Sequence, residues 1–321
     1  MLYLDEKDIE NIGIEWINTI SVIEETVKYL YENETVQPIK PYLRYKNIQN
    51  RIIAMPAYVG GKINRAGIKW IASFPENICK GLPRAHSVTI LNQADSGVPI
   101  SVINTAMVSI IRTVSVSGLI IKQYIKHRKH KNISIGIIGF GPIGQYHLKM
   151  CIELLENYIS KIFIYDLNGI ENLQLNTDII DKIVIVDNWQ DVYTNSDILI
   201  TCTTSKSRYI DIKPNQGSLL LNVSLRDYKT NVYPFVKDSI IVDDWSEVCR
   251  ENTDIEMFHK ECGLNAKSCK TITEIICEDE LKRYPAETPI MFNPMGMAVF
   301  DIAIASYFYD IAMENDRGTI L

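Results

Sequence analysis

Apolar positions recur at mostly helical spacing from Ile9 to Glu32, and the following "VQPIKPYLRYKN" ends that predicted helix with two prolines. "RIIAMPAYVGGKINRAGIKWIASFP" then reads as two strands around Gly60-Gly61, and "HSVTILNQADSGVPISVIN" as another pair around Asp95-Ser-Gly97. The first hundred residues are therefore expected to be α+β with antiparallel pairing. From Ile133 the rhythm changes to short, continuously apolar strands alternating with helical stretches: "NISIGIIGF", "KIFIYDL", "DKIVIV", "SDILITCTT", "GSLLLNVS" and "DSIIVDD". Strands of that kind suit a parallel sheet covered on both faces. A last segment, Met297 to Met313, has a broad apolar face at helical spacing and is expected to pack back on the first region. The apolar run from Ser101 to Ile121 is interrupted by Arg112 and several hydroxyl residues, which predicts a buried helix rather than a membrane span. The basic run Lys126 to Lys131 reads as a solvated helix end.

Length and composition narrow the functional classes. With 321 residues, 46% hydrophobic and 22% charged, the chain suits a soluble globular protein of two domains. A net charge of -6 argues against nucleic acid or an anionic membrane as partner and points to a small ligand. The seven cysteines contain no C-x-x-C pair and fit neither a disulfide framework nor a zinc cage. Reduced thiols in the cytoplasm are the expectation, and "MLYLDEKDIE" shows no export signal.

The motif with the clearest chemistry is Gly139-x-Gly141-x-x-Gly144, after a strand and before a helical stretch. The first glycine permits a tight turn, the second lets backbone approach a pyrophosphate, and the third lets helix and strand pack closely. Gly139, Gly141, Pro142, Ile143 and Gly144 are thus candidate cofactor contacts, with the helix N-terminus facing the phosphates. An acid is expected about 20 residues further on, and Asp166 occupies that place. A carboxylate there accepts from ribose hydroxyls and repels a 2′-phosphate, which favours NAD over NADP.

Several cations sit in apolar surroundings: Arg44 after two prolines, Arg51 before a strand, Lys69 inside "GIKWI" and Arg112 inside an apolar helix. Each alone can snorkel to water. Arg112, flanked by Ile110, Ile111 and Val114, must reach an edge or find an anion, and a substrate carboxylate would serve. No metal site is expected: Asp243 and Asp244 read as solvated or helix-capping, and the five histidines share no ligand spacing, with His147 expected at the surface.

"RIIAMP", "GIKWIASFPEN", "TILNQADSGVPISVI", "IRTVSVSG", the glycine loop and "NPMGMAVFD" together resemble the ornithine cyclodeaminase/mu-crystallin family across essentially the whole chain. The resemblance implies a homodimer with a substrate-binding and dimerisation domain at 1–115, completed by a helix in 297–321, and a Rossmann NAD-binding domain at 116–296. It matches Arg44, Lys69 and Arg112 to substrate carboxylate contacts, Met55 to the same pocket and Asp227 to the catalytic acid. Lys69 is either a proton donor or a carboxylate anchor. Thr203 is implied near the adenosine and pyrophosphate, and Asn293 to Gly296, with Met295, near the nicotinamide. Without the resemblance, Asp227 reads as a loop carboxylate facing water.

"QPIKPYLR", "VDDWSEVCRE" and "NPMGMA" bring the resemblance nearest to members that oxidise N-(2-amino-2-carboxyethyl)-L-glutamate to 2,3-diaminopropionate and 2-oxoglutarate. Cyclodeaminases carry a "G-D-x-x-G-K-x-E" pattern where this chain reads Leu225-Arg-Asp-Tyr-Lys-Thr-Asn231, which counts against ornithine cyclisation. Alanine dehydrogenase or ketimine reductase chemistry stays open, as does a non-catalytic NAD-binding role.

Overall fold

The computed structural model describes residues 1–128, 132–170 and 179–321. It forms two compact units, Met1–Ser115 with Gly296–Leu321, and Val116–Met295. The end of the basic run, Lys129 to Lys131, lies outside the described residues.

The first unit opens with strand β1 (Leu2–Leu4), helix α1 (Glu6–Ile12) and helix α2 (Trp16–Tyr31). Asp5 and Asp8 close a capping box on α1, which ends where the Gly13 N–H bonds the Ile9 carbonyl. The single helix expected from Ile9 is therefore two. In α2 the residues Trp16, Ile20, Ile23 and Val27 form the buried stripe that helical spacing foretells. Short strands β2 (Thr35–Val36) and β3 (Tyr42–Leu43) precede β4 (Arg51–Val59), β5 (Arg65–Ser73), β6 (Ala85–Gln93) and β7 (Pro99–Ile103), an antiparallel run from β4 to β7. Both expected hairpins are present. Strand β1 was not expected, and it pairs parallel with β7. Helix α3 (Met107–Arg128) begins after the start of that run, Ser101 to Ile103, has been used by β7. It is long and apolar enough to cross a bilayer, yet 67% of its apolar window is buried inside the protein.

The second unit runs β8 (Ile133–Ile138), α4 (Pro142–Leu155), β9 (Ile159–Tyr165), β10 (Ile183–Ile185), α5 (Trp189–Thr194), β11 (Ile198–Thr201), β12 (Leu219–Asn222), α6 (Tyr233–Val236), β13 (Ile240–Val242), α7 (Trp245–Val248), α8 (Asp254–Cys262), β14 (Lys270–Thr271), α9 (Ile272–Cys277) and β15 (Ile290–Asn293). Its strands are parallel in the order β10-β9-β8-β11-β12-β15-β13-β14. This is the Rossmann sheet expected from the continuous apolar strands. Strand β8 lies where the chain order reverses, so its carboxyl end is the switch point at which such sheets bind ligands. The fully buried β15 is an addition: it comes last in this unit yet sits between β12 and β13.

The chain then returns to the first unit as α10 (Ala298–Glu314) and β16 (Thr319–Ile320), the latter beside β1. Helix α10 is apolar nearly all round and covers one face of β4, β5 and β6. Gly67 in β5 allows the close approach, since a methyl group there would lie 2.9 Å from Ile302 Cδ1.

Candidate functional site

In the second unit the glycine loop joins β8 to α4. Gly139 has φ +90°, and a Cβ there would lie 2.7 Å from the Cys202 carbonyl carbon, so only glycine serves. At Gly144 a Cβ would meet the Gly139 carbonyl oxygen at 2.2 Å, which is the helix–strand contact the third glycine permits. Among the described residues, a Cβ on Gly141 would meet nothing within 4 Å beyond its chain neighbours. Backbone is open there for a phosphate, directly at the N-cap of the 14-residue α4 with Pro142 at its first turn. Asp166, at the end of β9, accepts the Phe140 N–H at 2.6 Å and the Asn168 N–H at 2.9 Å, which pins it beside the loop. It also lines a cleft of about 270 Å³ with Tyr165, Leu167, Gly169, Ile170, Ile185, Val186 and Asp187. Loop, helix end, carboxylate and cleft fit a dinucleotide: the helix end would take the pyrophosphate and Asp166 the ribose.

Asp227 follows β12 and is wholly buried, unlike the water-facing carboxylate that the residues alone suggest. Thr203 Oγ1 donates to its Oδ1 at 2.5 Å and Ser224 Oγ donates to Oδ2. Burial pushes its carboxyl above the usual aspartate range; the two hydroxyls oppose this, and the nearby Asp254 charge adds to it. The loop itself is tied down by Asp254, whose Oδ2 accepts the N–H groups of Asp227 (3.0 Å) and Tyr228 (3.1 Å) and the Asn222 amide (3.0 Å). Arg208 Nε holds the other oxygen at 2.6 Å.

Two expectations need correction. His147 is not at the surface but fully buried in α4, bonded to Ser117 Oγ (2.9 Å) and the Ile143 carbonyl (2.8 Å). Burial lowers its pKa to about 4, so it is neutral near pH 7. Asp243 is not solvated: it accepts the Met295 N–H at 3.0 Å and so fixes the backbone after β15. Asp244 caps α7, as expected.

In the first unit Lys69 sits on the α10 side of β5, level with Met55 and Thr89 on the neighbouring strands, and all three are buried. Its Nζ donates to Asp301 Oδ1 (2.7 Å) and to Ser109 Oγ (3.2 Å). Arg112, one turn beyond Ser109 on α3, donates through Nε to the same Asp301 oxygen at 3.2 Å. The anion that Arg112 demanded is thus supplied from within the chain. Lys40 Nζ donates to the Gly296 carbonyl at 2.7 Å. Gly296 has φ +88°, and a Cβ there would fall 2.2 Å from Arg112 Nη1. Burial lowers the Lys69 pKa to about 7; Asp301 pulls it upward, while Arg112 and Lys40 push it further down.

Arg44 is not among the cations on Asp301. It is exposed after β3, with its guanidinium 5.0 Å above the Tyr42 ring, which Arg51 shares at 5.7 Å. Sequence reasoning missed Asp301 and Asp254. The first had a signal, a lone carboxylate in the otherwise apolar "AVFDIAIA", complementary to the lone Arg112 in another apolar helix. The second had none, because its partners lie 26 to 46 residues away.

A model of the ornithine cyclodeaminase/mu-crystallin family matches residues 7–316. The chain is 33% identical to an N-((2S)-2-amino-2-carboxyethyl)-L-glutamate dehydrogenase of Staphylococcus aureus, with 100% of this chain and 98% of that protein covered. Among solved structures it is similar to a Delta(1)-pyrroline-2-carboxylate reductase of Thermococcus litoralis in complex with NADH and L-proline, at TM-score 0.86, 24% identity and full coverage of both chains. An archaeal alanine dehydrogenase dimer with bound NAD is similar at TM-score 0.81 and 22% identity, over 99% of this chain and 98% of the other.

Proposed function

The chain belongs to the ornithine cyclodeaminase/mu-crystallin family, and from that premise we propose that it cleaves N-(2-amino-2-carboxyethyl)-L-glutamate oxidatively to 2,3-diaminopropionate and 2-oxoglutarate. It is an NAD-dependent oxidoreductase acting on an amino-acid C–N bond. The observation that carries the specific reading is the full-length 33% identity to a dehydrogenase of that name, together with a buried lysine and a partly buried arginine suited to a substrate rich in carboxylates. The product would feed assembly of a siderophore or a peptide antibiotic.

When bound, NAD supplies the acceptor for the hydride leaving the glutamate α-carbon. Imine formation needs the lone pair of the secondary amine, so a base must hold that nitrogen unprotonated, and Asp227 is assigned that role. A carboxyl raised by burial suits proton exchange near neutral pH better than an ordinary aspartate does. Water then adds to the imine carbon, and collapse releases the amine of 2,3-diaminopropionate and the ketone of 2-oxoglutarate. Arg112, Lys69 and Arg44 hold carboxylates, Met55 borders them, and Lys69, with a pKa of about 7, can donate a proton to the departing nitrogen. Thr203 keeps Asp227 oriented. The backbone at Met295 and Gly296 is assigned to the nicotinamide side.

We assign the β4–β6 face opposite α10 to a homodimer contact. Ile68, Trp70, Pro56, Val88 and Ile90 alternate onto it, and Trp70 is 44% exposed, an apolar surface that a second copy would cover. A cytoplasmic setting without nucleic acid or membrane partners accords with the acidic charge and with seven cysteines that contain no C-x-x-C pair.

The test measures NADH and 2-oxoglutarate with N-(2-amino-2-carboxyethyl)-L-glutamate, beside L-ornithine, L-alanine and L-proline. Equal amounts of both products from the first compound support the proposal. Proline and ammonia from ornithine, with no net NADH, would make the chain a cyclodeaminase instead.

A further inference from the structure

We propose that Asp301 is the positioning residue of the cation site, aiming both Lys69 and Arg112 through a single carboxylate oxygen. The inference deepens the reading above and rests on its assignment of those two cations to substrate carboxylates. Asp301 lies in the first turn of α10 and is completely enclosed, as is Lys69. Its Oδ1 takes Lys69 Nζ at 2.7 Å and Arg112 Nε at 3.2 Å, while its Oδ2, also buried, has no hydrogen-bond partner. Buried carboxylates are normally satisfied at both oxygens, and arginine–carboxylate pairs are frequently bidentate. Here the grip is on Nε only. The Nη1 and Nη2 end of the guanidinium, which borders Gly296, is left out of the ion pair and can face an incoming anion.

The arrangement also governs charge. The groups facing Lys69 are Asp301 from α10, Ser109 and Arg112 from α3, Met55 from β4, Thr89 from β6, and Lys40 from the segment before β3. Among the described residues named here, Asp301 is the one anion. Burial, Arg112 and Lys40 all favour a neutral Lys69, so the carboxylate is what holds the cation in place.

The experiment uses the full chain labelled with 15N-lysine, with the Lys69 Nζ signal identified by its absence in Lys69→Met. In Asp301→Asn the Lys69 titration midpoint should drop by about 1 to 3 pH units, the effect of losing an adjacent opposite charge. At pH 7 the KM for whichever amino acid yields NADH should rise roughly 10- to 100-fold, as for loss of a charge-assisted hydrogen bond, with the KM for NAD unchanged. Asp301→Glu keeps the charge but moves it by one methylene, so the midpoint should stay while KM still rises. A folded Asp301→Asn protein with an unmoved midpoint, or an unchanged KM in Asp301→Glu, overturns the proposal. The titration contains no substrate, so it decides the role of Asp301 even if none of the amino acids tested proves to be oxidised.

Discussion

Gly296→Ala offers a sharp test of the cation site, because the glycine borders the Arg112 guanidinium. The added Cβ would lie 2.2 Å from Nη1, 2.6 Å from Nη2 and 2.7 Å from Cζ. Ordinary contact is about 3.5 Å, so the guanidinium must retreat by about 1.3 Å. The backbone is also strained, since φ is +88° and an L-side chain there costs about 1 to 3 kcal/mol. A shift of about 1 Å in a substrate-orienting group can cost about 100-fold in rate, or about 2.7 kcal/mol of transition-state stabilisation. Steady-state kinetics with the amino acid varied at saturating NAD should therefore show kcat/KM reduced about 100-fold. A thermal melt run alongside should report the backbone strain. A lowered melting temperature with unaltered kcat/KM would refute the reasoning, because it would mean Arg112 can move without consequence for the substrate. Gly141→Ala is the counterpart: beyond its chain neighbours, no atom of the described residues lies within 4 Å of the added Cβ, so stability should hold while the KM for NAD rises.

Asp166→Ala should erode discrimination between NAD and NADP, measured as the ratio of kcat/KM for the two; an unaltered ratio removes the ribose assignment. Asp227→Asn should lower kcat about 100- to 10,000-fold while NADH binding, followed by fluorescence, persists. Because the buried Asp227 carboxyl titrates above its unfolded value, its ionisation opposes folding at neutral pH. The asparagine variant should accordingly melt higher than the parent at pH 7 to 8, and the gap should close as pH falls toward the ordinary aspartate value of 3.8. Lys69, lowered to about 7, loses its charge as pH rises through that value, so the substrate KM should climb above pH 7. A flat KM between pH 6 and 9 would exclude it as a charged anchor.

What can be read along the chain here is what neighbouring residues decide among themselves. Alternation and the Gly60-Gly61 and Asp95–Gly97 turns specify the hairpins of β4 to β7. The glycine spacing specifies a strand, a tight loop and a helix, because those steric demands reach only a few residues. Lys69, Arg112 and Asp166 were legible as candidates because a charge in apolar surroundings, or an acid at a set distance from the loop, is visible locally. Pairing over long distances is not. Leu2–Leu4 has no pattern that names β7 as its partner, and "IMFN" has none that inserts it between β12 and β13. Burial of His147 and Asp227 depends on hydroxyls from Ser117 and Thr203 arriving through the fold. The tertiary structure alone decided that Asp301, 232 residues from Lys69, would be the anion shared by two cations: enclosing charge is tolerable only where packing brings its complement within hydrogen-bond reach.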